Sequence, residues 1–163
     1  MGKYKDDIIQ DAYYLIKKFN ENNKEVSNLQ IQKLMYFFEA YYMNVYDVDK
    51  LYDCNFNAWA FGPVAIPLYK EFRKFGNNNI ELTEDNIDYA EEISKEKKKL
   101  LDKIYYVFKD VSAMTLVRLT HMEGSPWKKV WDRNGRKVGY GADTYIDKIK
   151  TKEWFKDVFK KKD

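Results

Sequence analysis

The side chains that could carry chemistry in this chain are few and scattered. There is one histidine, His121, and one cysteine, Cys54. A thiol and an imidazole far apart in sequence can still form a nucleophile–base pair, but nothing around Cys54 marks it as a nucleophile. A single histidine excludes a two-histidine metal pattern such as His-Glu-x-x-His, and a single cysteine excludes an internal disulfide and a cysteine-rich zinc site. Gly135, Gly139 and Gly141 lie close together, yet no apolar strand and helix frame them as a phosphate-cradling loop requires. His121 therefore reads as a helix-end residue whose ring bonds a neighbouring group, helped by the C-terminal end of the helix dipole. No catalytic set, cofactor site or metal site is predicted.

Basic residues are the other candidates. Lys128, Lys129, Arg133, Arg136 and Lys137 interleave with aromatics, as a stacking platform for nucleic acid would require. However, 26 acidic residues oppose 29 basic ones, the net charge is only +3, and no helix-turn-helix or ribonucleoprotein motif is present. Nucleic acid is a disfavoured partner. The run Lys95–Lys99 reads as a solvated helix face balanced by Glu91, Glu92 and Glu96. Aromatic residues make up 17% of the chain, and Tyr and Trp favour core edges and interfaces because one end of each ring system is polar. A composition rich in Asn, Lys, Tyr and Ile is also what an AT-rich genome produces. The charged N-terminus has no apolar signal-peptide core, position six is Asp6 rather than the Ser or Thr of a myristoylation site, and no stretch nears the ~18 apolar residues of a membrane span. A cytoplasmic, membrane-free location is expected.

The element that must position these residues is Ser27–Tyr46. Ser27 and Gln30 have the spacing of a capping box, and Val26 with Ile31 that of a hydrophobic staple. At ~100° per residue, Ile31, Leu34, Met35, Phe38, Tyr41, Tyr42 and Val45 form a broad apolar arc, with Leu29, Tyr36, Ala40 and Met43 on the far side. Polar stripes of Asn28, Gln32 and Glu39, and of Lys33 and Asn44, separate the two arcs. A helix with two apolar faces is packed between layers, so 27–46 is predicted to be a central buried helix, with Leu34 and Phe38 in the core.

Around it the pattern predicts a mainly α protein, a single compact domain over residues 1–163. The first helix covers Asp6–Asn20. Phe56–Phe61 reads as a short strand, and Ile80–Leu82 as a second that could pair with it. Between them Gly62-Pro63 forms a kinked, extended corner, because proline biases the preceding residue away from the α region. Pro67 opens a short helix through Phe75, and Gly76 caps it. One or two helical segments run from Thr83 to Lys109. Ser112 caps a helix over Ala113–Met122. Ser125-Pro126-Trp127 starts the next, with serine at the N-cap and proline at the first helical position. A final short helix carries Trp154, Phe155, Val158 and Phe159 and ends at Lys160–Lys162.

Three stretches in series resemble a known family: LQIQKLMYFFEAYY (29–42), FNAWAFGPVAIPLYKEFRKFG (56–76) and SAMTLVRLTHMEGSPWKKVW (112–131). Their order and spacing are similar to the Panacea domain of SocA-like and GepA-like, phage-associated antitoxins. The family patterns correspond to Ile31-Gln32-Lys33-Leu34, to Ala58-Trp59 followed by Gly62-Pro63-Val64, and to Leu119-Thr120-His121 followed by Pro126-Trp127. Ile31 and Phe61 stand where leucine and tyrosine are common. The resemblance implies an antitoxin that neutralises a toxin from a neighbouring gene by direct binding, or an adaptor that presents the toxin to a ClpXP-type protease. It implies no active site. The motif residues Gln32, Lys33, Leu34, His121, Pro126 and Trp127 are expected to be structural, and the corner of Trp59, Phe61, Gly62 and Pro63 to touch the partner. Many members carry an additional DNA-binding domain, for which this sequence offers no room.

Overall fold

Ser27 does cap the central helix. Its hydroxyl accepts from the Gln30 amide while the Gln30 side chain accepts from the Ser27 amide, and the helix α2 runs from Asn28 to Tyr46. The computed structural model describes residues 7–158. Before α2 comes α1, Asp7–Glu21. After it come strands β1, Phe56–Trp59, and β2, Gly62–Ala65, then α3, Ile66–Phe72, which tightens into a 3-10 turn over Arg73–Phe75. The remaining helices are α4, Glu84–Ala90, α5, Lys95–Phe108, α6, Ala113–Thr120, α7, Pro126–Arg133, and α8, Lys148–Phe155. A second 3-10 turn, Ala142–Thr144, precedes α8. The fold is mainly helical with one small antiparallel hairpin. Among the described residues no helix is long and apolar enough to cross a membrane.

α2 packs against α1, α3, α5, α6, α8 and β2, which makes it the hub of the core. Leu34 and Phe38 are fully buried, and Met35, Ala40 and Met43 are buried too. Large-to-small replacement of Leu34 or Phe38 is therefore a cavity-forming change. Phe37 stacks on Phe108 of α5 and meets Phe155 of α8 edge-on, and Tyr36 meets both Phe56 of β1 and Phe155 edge-on. These rings tie β1, α5 and α8 to one helix. The broad arc ends sooner than its periodicity suggests: Tyr41 and Tyr42 are only half-buried and Val45 is exposed, because the helix projects past its neighbours before Asp47 closes it in a left-handed conformation.

Three sequence expectations change here. Ile80–Leu82 is not a strand, and the Ile80 amide instead donates to the Val26 carbonyl ahead of α2. The partner of β1 is β2, in the register Phe56 with Ala65 and Trp59 with Gly62, so the Gly-Pro corner is itself a strand. The last helix begins earlier than expected and ends at Phe155, leaving Val158 exposed, while Phe159 and Lys160–Lys162 lie outside the described residues, as does Asp6. Ser125 caps α7 as its residue type requires, accepting from the Lys128 amide with Pro126 in the first turn.

Candidate partner-binding site

The hairpin is tight: only Ala60 and Phe61 separate the paired residues Trp59 and Gly62. The positive φ that such a reversal needs falls on Gly62, at +112°. A Cβ there would also lie 2.6 Å from Lys33 Cε and 2.8 Å from Thr120 Oγ1, so glycine is required for both conformation and space.

β2 has one strand neighbour, which leaves its outer edge to be satisfied elsewhere. Two consecutive side chains of α2 do this. Gln32 Oε1 accepts from the Ala65 amide at 2.9 Å, and Lys33 Nζ donates to the Pro63 carbonyl at 3.1 Å. Residues 63 and 65 are two apart in a strand, so their polar groups point to the same edge. Gln32 and Lys33 thus stand in for a third strand. Both were assigned to polar stripes by periodicity, and both are buried. Polar residues on a helix enclosed on all sides have backbone partners here instead of water.

The α6–α7 corner braces β1 from the other side. The Trp127 indole donates to the Trp59 carbonyl at 2.8 Å, and the Trp59 indole donates onward to the Gly139 carbonyl at 2.9 Å. The Ser125 hydroxyl donates to the Thr120 carbonyl, joining the end of α6 to the start of α7. His121 closes α6 as its C-cap, its amide donating to the Val117 and Arg118 carbonyls, and its ring stacks on Trp127 at 3.7 Å with planes 6° apart. His121 Nε2 is buried and has no partner. Burial first, then Lys33 and Lys128, pull its pKa below the usual histidine value. The segment after α7 folds back over the hairpin: Thr144 Oγ1 donates to Asn57 Oδ1, and the Ile146 amide to the Phe56 carbonyl.

The residues expected at the partner surface therefore divide. Gly62 and Pro63 are buried in the strand, Trp59 is half-buried between Tyr69 and Tyr140, and the Phe61 ring is 61% exposed at the tip. Tyr140 and Val138, both exposed, extend the apolar surface beside it. Neither was singled out from sequence, since a glycine-rich loop gives no sign of what it folds against. Behind the tip, between the start of α2 and the hairpin, lies a cleft of about 340 Å³, lined by Leu29, Trp59, Phe61, Val64 and Tyr69 among others, and by Lys33.

A second depression, about 770 Å³, lies between the loop after α2, α7 and the start of α8, and shares no lining residue with the cleft. It contains Lys129 and Arg133 of the basic set considered above, with Lys150, opposite Asp49, Asp53 and Asp147. Lys128 and Arg136 instead pair with Asp132. The basic residues are thus split between intramolecular pairs and a wall of mixed sign, a poor match to a phosphate backbone. In the run before α5's apolar face, Lys98 pairs with Glu91 as expected, but Lys97 reaches inward to Asp11. Cys54 is half-buried, and among the described residues no three His, Cys, Asp or Glu side chains are grouped to hold a metal ion.

Fold and site together define a helical scaffold that presents a braced aromatic hairpin. The profile of the family described as "Antitoxin SocA-like, Panacea domain" matches residues 31–128, from the Gln32-Lys33 pair through the hairpin to Trp127. The chain belongs to that family. It is 28% identical over 158 residues to Antitoxin SocA of Caulobacter vibrioides (strain NA1000 / CB15N), an alignment covering 90% of this chain and 82% of that protein. No solved structure matches it.

Proposed function

We propose that this protein neutralises a toxin encoded beside it by forming a direct protein–protein complex through the hairpin face, without turnover. The observation that carries the reading is the exposed Phe61 ring on a hairpin whose backbone is fixed from two sides, by Gln32 and Lys33 on one and Trp127 on the other. An aromatic group on a rigid support loses little entropy when it enters a partner's pocket, and such anchors dominate interface energies. Trp59, Tyr140 and Val138 widen the contact, and Gly62 and Pro63 act from beneath by setting the strand. Family membership supports the antitoxin role, and the name of the Caulobacter relative points the same way.

Co-expression with the product of the adjacent gene tests this. The two proteins are expected to co-purify, and Phe61→Ser to weaken the complex by ~2 kcal/mol or more, about thirtyfold in Kd, with an unchanged melting temperature. Failure of the wild-type chain to co-purify with any neighbouring product, together with salt-sensitive binding to DNA or RNA, would end the reading. The second reading is delivery of the toxin to a ClpXP-type protease. It is favoured by the separate depression carrying Lys129, Arg133 and Lys150, which leaves a surface free for another protein once the hairpin is occupied. Protection that persists in cells lacking ClpX or ClpP supports binding alone, and protection that vanishes there supports the adaptor.

A further inference from the structure

The cleft behind the hairpin has one feature that edge-pairing of β2 does not require. Gln32 and Asn28 in its lining are already engaged, the Gln32 amide donating to Asn28 Oδ1 and its carbonyl accepting from Ala65. Lys33 is engaged only once. It is wholly buried, its single hydrogen bond goes to the Pro63 carbonyl, and no carboxylate of the described residues lies within ion-pair distance. Bonding one carbonyl needs one neutral N–H, which an amide supplies without the desolvation cost of an amine that carries charge in water. The ionisable group whose titration Lys33 perturbs, His121, is a base as well.

We propose that this cleft is a binding site for a carboxylate carried on an apolar body, with Lys33 as the group that recognises the acid. The walls of Leu29, Trp59, Phe61, Val64 and Tyr69 suit an aromatic or aliphatic body, and about 340 Å³ is room for roughly eleven water-sized groups. A cationic ligand would be repelled. A neutral apolar one would leave the amine without a further partner. A phosphate would need several donors converging on it, and the lining holds one basic side chain. A single carboxylate matches that one base. Lys33 has no exposed surface, so seating the acid against its amine requires lining side chains to move, and Phe61 and Val138 are the exposed members of that lining. Gly62, lacking a Cβ, lets the end of the lysine side chain lie against the strand while the acid is held.

The test is titration of the full-length protein with 4-phenylbutyrate, read by amide and indole resonances in two-dimensional NMR. Saturable shifts at the Gly62 amide and the Trp59 indole are expected. The uncharged 4-phenylbutanol should bind about tenfold more weakly or worse, and 4-phenylbutyrate should lose a similar factor with Lys33→Met, as charge-assisted hydrogen bonds predict. A melting temperature for Lys33→Met no lower than wild type establishes that the variant is folded. Unperturbed hairpin resonances up to the solubility limit of the acid, or equal affinity for acid and alcohol, or undiminished binding to Lys33→Met, each overturns the assignment. Where the site binds, competition by the adjacent gene product assigns the acid to a residue of that partner, and simultaneous binding assigns it to a free small molecule. The acid titration itself uses no partner, so its failure and the failure of toxin docking at the hairpin are read separately.

Discussion

Two buried charges of the core and the lysine under the hairpin obey different rules. Asp11 of α1 is wholly buried; its Oδ2 receives the Tyr52 hydroxyl and the Lys97 ammonium at 3.0 Å, while its Oδ1 has no partner and burial, only partly offset by Lys97, raises its pKa. Glu39 of α2 is almost as enclosed. It accepts from the Leu51 and Tyr52 amides at 3.0 and 2.9 Å and from Lys148, whose ammonium bridges both carboxylate oxygens. Each carboxylate thus holds a distant stretch of chain against the central pair of helices. Lys33, two turns before Glu39 on the same helix, has one carbonyl. A charge neutralised by hydrogen bonds and an opposite charge repays much of its desolvation, whereas a lone buried amine does not. Tyr52 shows the same logic in reverse: burial first, then the adjacent Asp11, hold its hydroxyl pKa well above the usual value, so it stays a donor. The comparison separates groups that hold the fold from one whose retention points to another use.

The strongest way to break this contrast is to remove the partnered charge. Glu39→Ala leaves the Leu51 and Tyr52 amides without their acceptor and Lys148 without its anion. A loss of ~3–5 kcal/mol in urea-unfolding stability is expected, as for other buried pairs broken from one side. A loss under about 1 kcal/mol would mean that water replaces the carboxylate easily and that this site is not the fastening the geometry suggests.

The opposite sign is expected under the hairpin. Lys33→Met keeps the shape and leaves the buried Pro63 carbonyl without its donor, but removes a desolvated base, for a net gain of ~1–3 kcal/mol at neutral pH. The pH profile sharpens the claim. Burial lowers the Lys33 pKa from 10.5 to about 7. Between those values the unfolded chain holds a proton on this amine that the folded chain has given up. Wild-type stability therefore rises with pH across that window, and the full penalty applies below it. Lys33→Met should flatten this contribution. An unchanged profile in chemical denaturation between pH 7 and about 9 would place an unrecognised anion beside the amine.

Why the helix starts and the apolar core were legible in the sequence and neither buried-charge site was follows from where the partners lie. Ser27 with Gln30 and Ser125 with Pro126 act within one turn, so spacing alone located both helix starts. Leu34 and Phe38 were legible as core because apolar periodicity reports an enclosed face. Lys33 and Glu39 fall between apolar arcs, and periodicity reads such residues as solvent-facing. Their partners, Pro63 and Lys148, are 30 and 109 residues away, and no local pattern announces them. The hairpin was missed for a related reason. Its two-residue loop, Ala60-Phe61, lacks the Asn-Gly or Asp-Gly signal, and Pro63 argues against a strand unless one edge is covered by something other than a strand, as α2 covers it here. The family resemblance picked out these three stretches, and the structure shows that they meet. It carried no information on why Lys33 is a lysine.

The smallest expected effect concerns His121, which lies between the two kinds of site: stacked and capped like the fold-holding groups, yet with Nε2 buried and unpartnered like an unfinished one. His121→Gln removes a ring stack worth ~0.5–1.5 kcal/mol but leaves the backbone bonds that close α6, because the amide supplies them. For a chain of this size that is a fall of roughly 2–4 °C per kcal/mol in melting temperature. Burial, Lys33 and Lys128 depress the imidazole pKa below 6.5, so on acidification the unfolded chain takes the proton first and folded stability falls below that pH. Glutamine does not titrate, and the variant should lose stability less steeply than wild type as pH drops from 6.5 toward 5. If the histidine only braces the Trp127–Trp59 link, neutralisation in cells at permissive temperature survives the substitution. Loss of neutralisation in a variant that melts within a few degrees of wild type would move His121 to the functional side of the comparison, with Lys33.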